Sequence, residues 1–423
     1  MRMSRIRRTG LTVFGTLLLL LGAVSVQARA DEYEQLQLGI PELPRTIAKE
    51  LPPLNSKQQM KIGALKLHPM FRSKVEFDDN IRLAHNDKTE DVLFTQMPAL
   101  GTEVNLGKHR LEGTYGMEIV NFTKESEENA VNHLANAGLE LNFNDLQLSF
   151  RDLLEKSTNR LYNETSSRDH ILLNTVDTLA RYDRPQWAAE GGWRHNTVHH
   201  FTDTLKARNY EEDVFTTLAG YKIQPKTLFL VESDEGLVRY GRAGTADQTY
   251  WQILTGLRGE PTPKTAVTAK IGYQNRWLDE IPGRGRSTDF QGLVANADFL
   301  FNPDIDSSLR FGYTRTVRTS TFQDNGWYRM DDIFLTYRKR FLEKWVLTPQ
   351  FGWQMNGYPE NGTTSGITKR RNDNFWRAAV SFRYEIKDWL STGVVYKFLG
   401  RDSNIDPFDF SNNRVSLDVT LGY

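Results

Sequence analysis

A chain of 423 residues with 53 Lys+Arg against 53 Asp+Glu has no net charge to recommend nucleic acid as a partner, and without cysteine it has no disulfide, thiolate metal site or cysteine nucleophile. A quarter of the residues are charged, and beyond the first thirty no run of 18 or more apolar residues occurs, which excludes helical membrane spans. Aromatic residues make up 11% and suit the two interfacial girdles of a sheet whose apolar face is every second residue.

The chain starts with Arg2, Arg5, Arg7 and Arg8, continues as an apolar run from Leu11 to Val26, and reaches small residues at Ala28 and Ala30. Residues 1–30 therefore read as a secretory signal peptide, with cleavage after Ala30. Residues 31–64 hold Pro41, Pro44, Pro52 and Pro53 among charged residues and read as a periplasmic tail or linker, with one short helix around Thr46 to Leu51.

From Leu65 to Tyr423 the period changes to two. Lys74, Glu76, Asp78, Asn80 and Arg82 oppose Val75, Phe77, Ile81 and Leu83 on the first strand; Glu112, Thr114, Gly116 and Glu118 oppose Leu111, Tyr115, Met117 and Ile119; Asn136, Gly138 and Glu140 oppose Ala137, Leu139 and Leu141. Late in the chain Arg377, Ser381, Arg383 and Glu385 oppose Trp376, Val380, Phe382 and Tyr384, and Arg414, Ser416 and Asp418 oppose Val415, Leu417 and Val419. Only one face of each segment tolerates lipid. Tight turns fall near Leu106 to His109, Phe143 to Leu146, Tyr182 to Gln186, Ile223 to Thr227, Arg258 to Lys264, Phe301 to Ser307, Phe341 to Trp345 and Tyr384 to Trp389. Longer polar stretches lie between them, including Glu155 to Asp169, His195 to Asn209, Arg276 to Asp289, Asn356 to Asp373 and Arg401 to Ser411. Short turns alternating with long loops predict an all-β fold: a transmembrane antiparallel β-barrel over residues 65–423, of about 18 strands or alternatively 16, with both termini periplasmic. A barrel of that size encloses an aqueous lumen. The weakest strands are those containing Pro98 and Pro349, since proline donates nothing to a ladder.

Leu67-His68-Pro69 and Glu76-Phe77-Asp78-Asp79-Asn80-Ile81 open this region. Asp388-Trp389-Leu390, Gly393-Val394-Val395-Tyr396, Arg401-Asp402-Ser403-Asn404 and Asn412-Asn413-Arg414-Val415-Ser416-Leu417 end it. In these motifs the chain resembles the β-barrel porin families found among exopolysaccharide-operon outer-membrane proteins. The resemblance implies one outer-membrane barrel linked to passage or export of a surface polysaccharide or other polar solutes, with no catalytic residue to carry over.

Alternation puts Glu76, Asp78, Glu103, Glu112, Glu118 and Glu140 on the inward face of the first four strands, and Arg310, Arg338, Arg340, Arg377, Arg383 and Arg414 on that of the last six. Such lining charges set ion selectivity in an aqueous pore. The competing use is pairing across neighbouring strands, and Arg414 comes within reach of Glu76 or Asp78 once the first and last strands meet. Tyr423 closes the last apolar face, and in proteins this one resembles a terminal aromatic is the signal read by the barrel-assembly machinery. His195, His199 and His200 form a histidine cluster in a predicted loop, more simply solvated than metal-bound. No nucleophile elbow, Walker loop or dinucleotide fingerprint occurs, so neither an enzyme nor a cofactor is expected. The expected partners are outer-membrane lipid and lipopolysaccharide, whose phosphates Arg284, Arg286 and Lys369 to Arg371 could meet, and polysaccharide. Trp327, Tyr328, Trp345, Trp353, Trp376 and Trp389 read as girdle residues. The alternative to a channel is a structural or adhesive surface barrel with a closed lumen.

Overall fold

The computed structural model describes residues 60–158, 169–241, 245–281, 285–286, 288–320, 322, 325–364 and 366–422. The signal peptide, the predicted helix at 46–51, Arg284 and Tyr423 lie outside these.

Eighteen long strands build the molecule: β1 (Leu65–Asp78), β2 (Asp91–Leu106), β3 (His109–Phe122), β4 (Ala130–Asn142), β5 (Leu146–Ser157), β6 (Ile171–Asp183), β7 (Trp187–His200), β8 (Tyr210–Gln224) and β9 (Thr227–Tyr240) form its first half. The second half is β10 (Gln248–Thr262), β11 (Thr265–Leu278), β12 (Phe290–Asp304), β13 (Ser307–Thr319), β14 (Trp327–Phe341), β15 (Trp345–Thr364), β16 (Ile367–Lys387), β17 (Leu390–Ser403) and β18 (Phe410–Gly422). Each pairs antiparallel with its sequence neighbours, and β1 pairs with β18 from Met70↔Gly422 to Asp78↔Arg414, so the sheet closes without a free edge. The three-residue strand Met60–Ile62 folds back onto β1 around Gly63, so residues 60–64, read from sequence as the end of a linker, extend the sheet.

The alternation gives this closed sheet two chemically opposite walls. On β1, Lys74, Glu76 and Asp78 are buried while Phe71, Val75 and Phe77 are exposed. A soluble protein would reverse that order, because apolar area left in water costs about 25 cal/mol per Å². The outer wall thus suits hydrocarbon and the inner one a polar interior.

An even strand number brings both ends of the barrel sequence to one rim. That rim carries the tight turns, all eight where the sequence places them; the opposite rim carries the long connections. Three of those differ from the sequence reading. β1 ends at Asp78, so Asn80, Ile81, Arg82 and Leu83, read as strand, belong to the β1–β2 connection. β7 continues through His195 and ends at His200, because its register with β6 persists to Ile171↔His200. The stretch from Asn356 to Asp373 is no loop: β15 and β16 remain paired out to Thr364↔Ile367, absorbing a register shift between Gly357 and Asn361. Both prolines sit inside continuous strands. Pro98 pairs with Phe71 on one side, but the β2–β3 ladder skips from Gln96 to Ala99; Pro349 pairs with Val380, but the β14–β15 ladder skips from Thr336 to Lys339. Each proline interrupts one of its two ladders, and the ladder on the other side carries the strand.

The closing seam explains the two sequence motifs at its ends. Asn412 Nδ2 donates to Asp78 (2.5 Å), Asn413 donates to Asp79 through its backbone N and its Nδ2 (2.7 Å each), and Asn80 Nδ2 donates to the Ser411 carbonyl (3.0 Å). Asp78-Asp79-Asn80 and Asn412-Asn413 are one polar lock, 334 residues apart in sequence between Asp78 and Asn412.

Candidate functional site

All twelve charged residues assigned by alternation share the inward face. The structure adds their partners. Glu103 meets Lys66 at 2.6 Å, Glu112 meets Arg110 at 2.6 Å, Glu76 lies 3.5 Å from Lys74, and Glu118 accepts from Asn132 at 2.7 Å. Glu140 lies between Arg151 at 3.2 Å and Arg110 at 3.9 Å. Among the basic residues, Arg310 meets Asp298 at 2.8 Å, Arg340 pairs with Glu385, Arg377 with Asp332, and Arg414 approaches Asp78 at 4.0 Å. The Asp418 carboxylate joins Arg72 at 3.0 Å and Arg383 at 3.2 Å. Arg338 lines the same face beside the ladder gap at Pro349. Counter-charges thus stand within each arc, Lys66, Lys74 and Arg110 among the acidic residues and Asp298, Asp332, Glu385 and Asp418 among the basic ones, some along one strand and some across strands.

Space for these pairs comes from small residues. A Cβ on Gly352 would lie 2.9 Å from Arg377 Nε, so the missing side chain leaves the room in which that guanidinium lies across β15 and reaches Asp332 on β14. Here the wall is packed, with Arg377, Asp332, Gln354 and Asn356 all buried.

The opposite wall is wetter. On one pairing row, Arg151 of β5, Asp177 of β6 and Arg194 of β7 stand side by side on the inward face. The Arg151 side chain is 58% exposed and its partner Glu140 19%; Arg194 is 51% exposed and its partner Asp177, 2.8 Å away, 33%. Arg258 of β10 is likewise more exposed than its partner Glu190, at 32% against 7%. Sequence reading missed these arginines because it assigned inward charges only to the first four and last six strands; parity would have found Arg151, which shares a face with Gln147 and Ser149 opposite Leu148 and Phe150.

At the long-loop rim the inner wall turns apolar. Arg371, fully buried beside Asp373 at 2.8 Å, stacks 3.8 Å from the Phe408 ring centroid, 4.7 Å from Phe322 and 5.2 Å from Tyr358. Phe408 comes from the β17–β18 connection and Phe322 from the β13–β14 connection, so both fold inward and narrow this end.

A barrel with an apolar outside, a polar inside and a wet arginine-bearing wall has the build of a pore. The family model described as "putative beta-barrel porin 2" matches residues 193–423. The chain belongs to that family. It is a porin-like outer-membrane β-barrel channel. No curated protein sequence matches it. Among solved structures, the porin resembles Acinetobacter baumannii OccAB3, with 10% identity and a TM-score of 0.47 over 86% of this chain and 100% of that one. It also resembles the Pseudomonas aeruginosa outer-membrane protein OpdK, with 11% identity and a TM-score of 0.45 over 85% and 99%.

Other residues singled out by sequence take different places in the porin. The three histidines do not converge: His195 meets Asp213 at 2.9 Å on the outer wall, His199 meets Asn209 at 3.1 Å, and His200 turns to the other face and pairs with Asp169. Trp376 and Trp353 lie tilted against each other on the outer wall with centroids 6.0 Å apart, and Trp345 stacks on Phe382 at 4.7 Å near the turn rim. Trp327 and Tyr328 are not girdle residues. Trp327 is buried against Phe290 and donates to the Thr288 carbonyl at 2.7 Å, and Tyr328 is buried beside Met330 and Tyr358. Arg371 is similarly withdrawn from any loop surface, while Arg370 is exposed.

Proposed function

We propose that this porin is a passive diffusion channel for polar solutes with a preference for anions, and that it sits with its long connections outside the cell and both termini in the periplasm. What supports the anion preference is the exposure of Arg151 and Arg194 relative to the carboxylates that pair with them. Arginine is longer than aspartate or glutamate, so in a cross-strand pair its charge stands further into the water. Equal numbers of charges then give an unequal field along the path. Larger polar solutes, including a surface polysaccharide, fall within the same mechanism if the path admits them.

The test is the double substitution Arg151→Gln with Arg194→Gln in a planar bilayer under a salt gradient. The expected result is a reversal potential shifted toward cations with channel openings retained. An unchanged potential in a folded barrel would remove these residues from the path. The inward-folded loops around Arg371 favour a second reading, a barrel whose lumen is shut; its signature is the lack of discrete openings in the wild type.

A further inference from the structure

We propose that Arg315 and Arg329, gathered by Asp331 on the outer wall, form a binding site for the phosphate groups of lipopolysaccharide. Tyr313, Ile333, Trp353 and Trp376 lie on one pairing row across β13 to β16 and face outward. Interfacial aromatics mark where hydrocarbon gives way to headgroups. The next outward row toward the long-loop rim holds Arg315 and Asp331, and the row beyond it Arg329 and Gly357. Two guanidiniums therefore stand just above the aromatic row, at the depth of lipid headgroups.

Their arrangement is built rather than scattered. Asp331 is buried; one carboxylate oxygen accepts from Arg315 Nε at 2.6 Å and from the Tyr313 hydroxyl at 3.0 Å, and Arg329 Nε lies 3.2 Å from the other oxygen as an ion pair. One carboxylate thus fixes two guanidiniums through their Nε atoms and leaves a local excess of one positive charge. The terminal nitrogens of both forks remain for a ligand, and paired N–H donors match a phosphate bidentately. Arg329 is exposed and Arg315 half-exposed. The outward face of β8 begins at the same rim with Glu211 and Asp213, whose neighbours Arg239 and His195 offset their charge without leaving a basic excess of this kind. In an outer membrane the phosphate at this depth is that of the glucosamine lipid of the outer leaflet. The assignment of leaflet rests on the orientation proposed above.

The experiment uses the full-length porin purified in mild detergent, as wild type, as Arg315→Gln/Arg329→Gln and as Arg315→Lys/Arg329→Lys, with folding checked by heat-modifiable gel mobility. Lipid A retained per barrel is counted by native mass spectrometry. Affinity is then measured for added lipid A, for dephosphorylated lipid A and for inorganic phosphate. Expected are retained lipid A in the wild type, at least tenfold weaker binding in the glutamine variant and for the dephosphorylated lipid, an intermediate lysine variant, and no displacement by inorganic phosphate at matched concentration. Equal binding by wild type and glutamine variant would overturn the site; displacement by inorganic phosphate would make it a free-anion site and overturn the lipid assignment. The channel reading stands or falls separately, on the reversal potential.

Discussion

Arg377 and Asp332 have side chains only 2% and 1% exposed, and a guanidinium so far from water acts on its carboxylate and not on a passing ion. Breaking such a pair strands a buried charge, whereas replacing both members with apolar side chains removes the desolvation cost along with the attraction. Arg377→Met alone should therefore cost about 3–5 kcal/mol, and Arg377→Met with Asp332→Leu much less, as read from unfolding in denaturant with folded and unfolded forms resolved on gels. Neither change should move the reversal potential. At this scale sequence parity was enough to place all twelve lining residues on one face, because a two-residue period needs no knowledge of neighbours. It does not say which inward charges meet water: that depends on register and reach, as the contrast between Arg377 under Gly352 and Arg151, outside the twelve, over Glu140 makes plain.

Strands and turns were legible where one face is apolar and the punctuation is short. The reading fails where polarity covers both faces, since a polar strand and a polar loop have the same composition. His195–His200 and the outer ends of β15 and β16 are strands only because their partners are strands. The inward fold of the β17–β18 connection had no sequence signal either. Its short Asp406–Phe408 turn hangs Phe408 over Arg371, where a ring face and a desolvated cation attract by about 2 kcal/mol. Phe408→Ala removes that ring, the Phe322 ring packed against it at 5.4 Å loses its neighbour, and the connection is released from the mouth. Single-channel conductance should rise while the reversal potential stays put, because the narrowing is relieved without a change of lining charge. An unaltered conductance would mean that the path bypasses this cluster.

For the molecule as a whole, closure fixes more than any strand does. An even number of antiparallel strands forces both ends of the barrel to one rim, and Met70 indeed pairs with Gly422 there. The proposed orientation, short turns in the periplasm and longer connections outside, follows the arrangement general to outer-membrane barrels and is open to a direct test. The chain has no cysteine, so one introduced thiol reports its side of the membrane without background. Glu127 suits the long-loop rim. Its side chain is 76% exposed in the Ser126–Glu128 turn, and it shares Arg82 with Glu125, which keeps that contact if Glu127 is lost. Lys108, exposed in the turn between β2 and β3, suits the other rim. In intact cells an impermeant maleimide should label Glu127→Cys and spare Lys108→Cys, and opening the outer membrane should make both reactive. The reverse pattern would turn the barrel over: the arginine pair of β13 and β14 would then face the inner leaflet, while the charged wall of β5 to β7 would still line the same path.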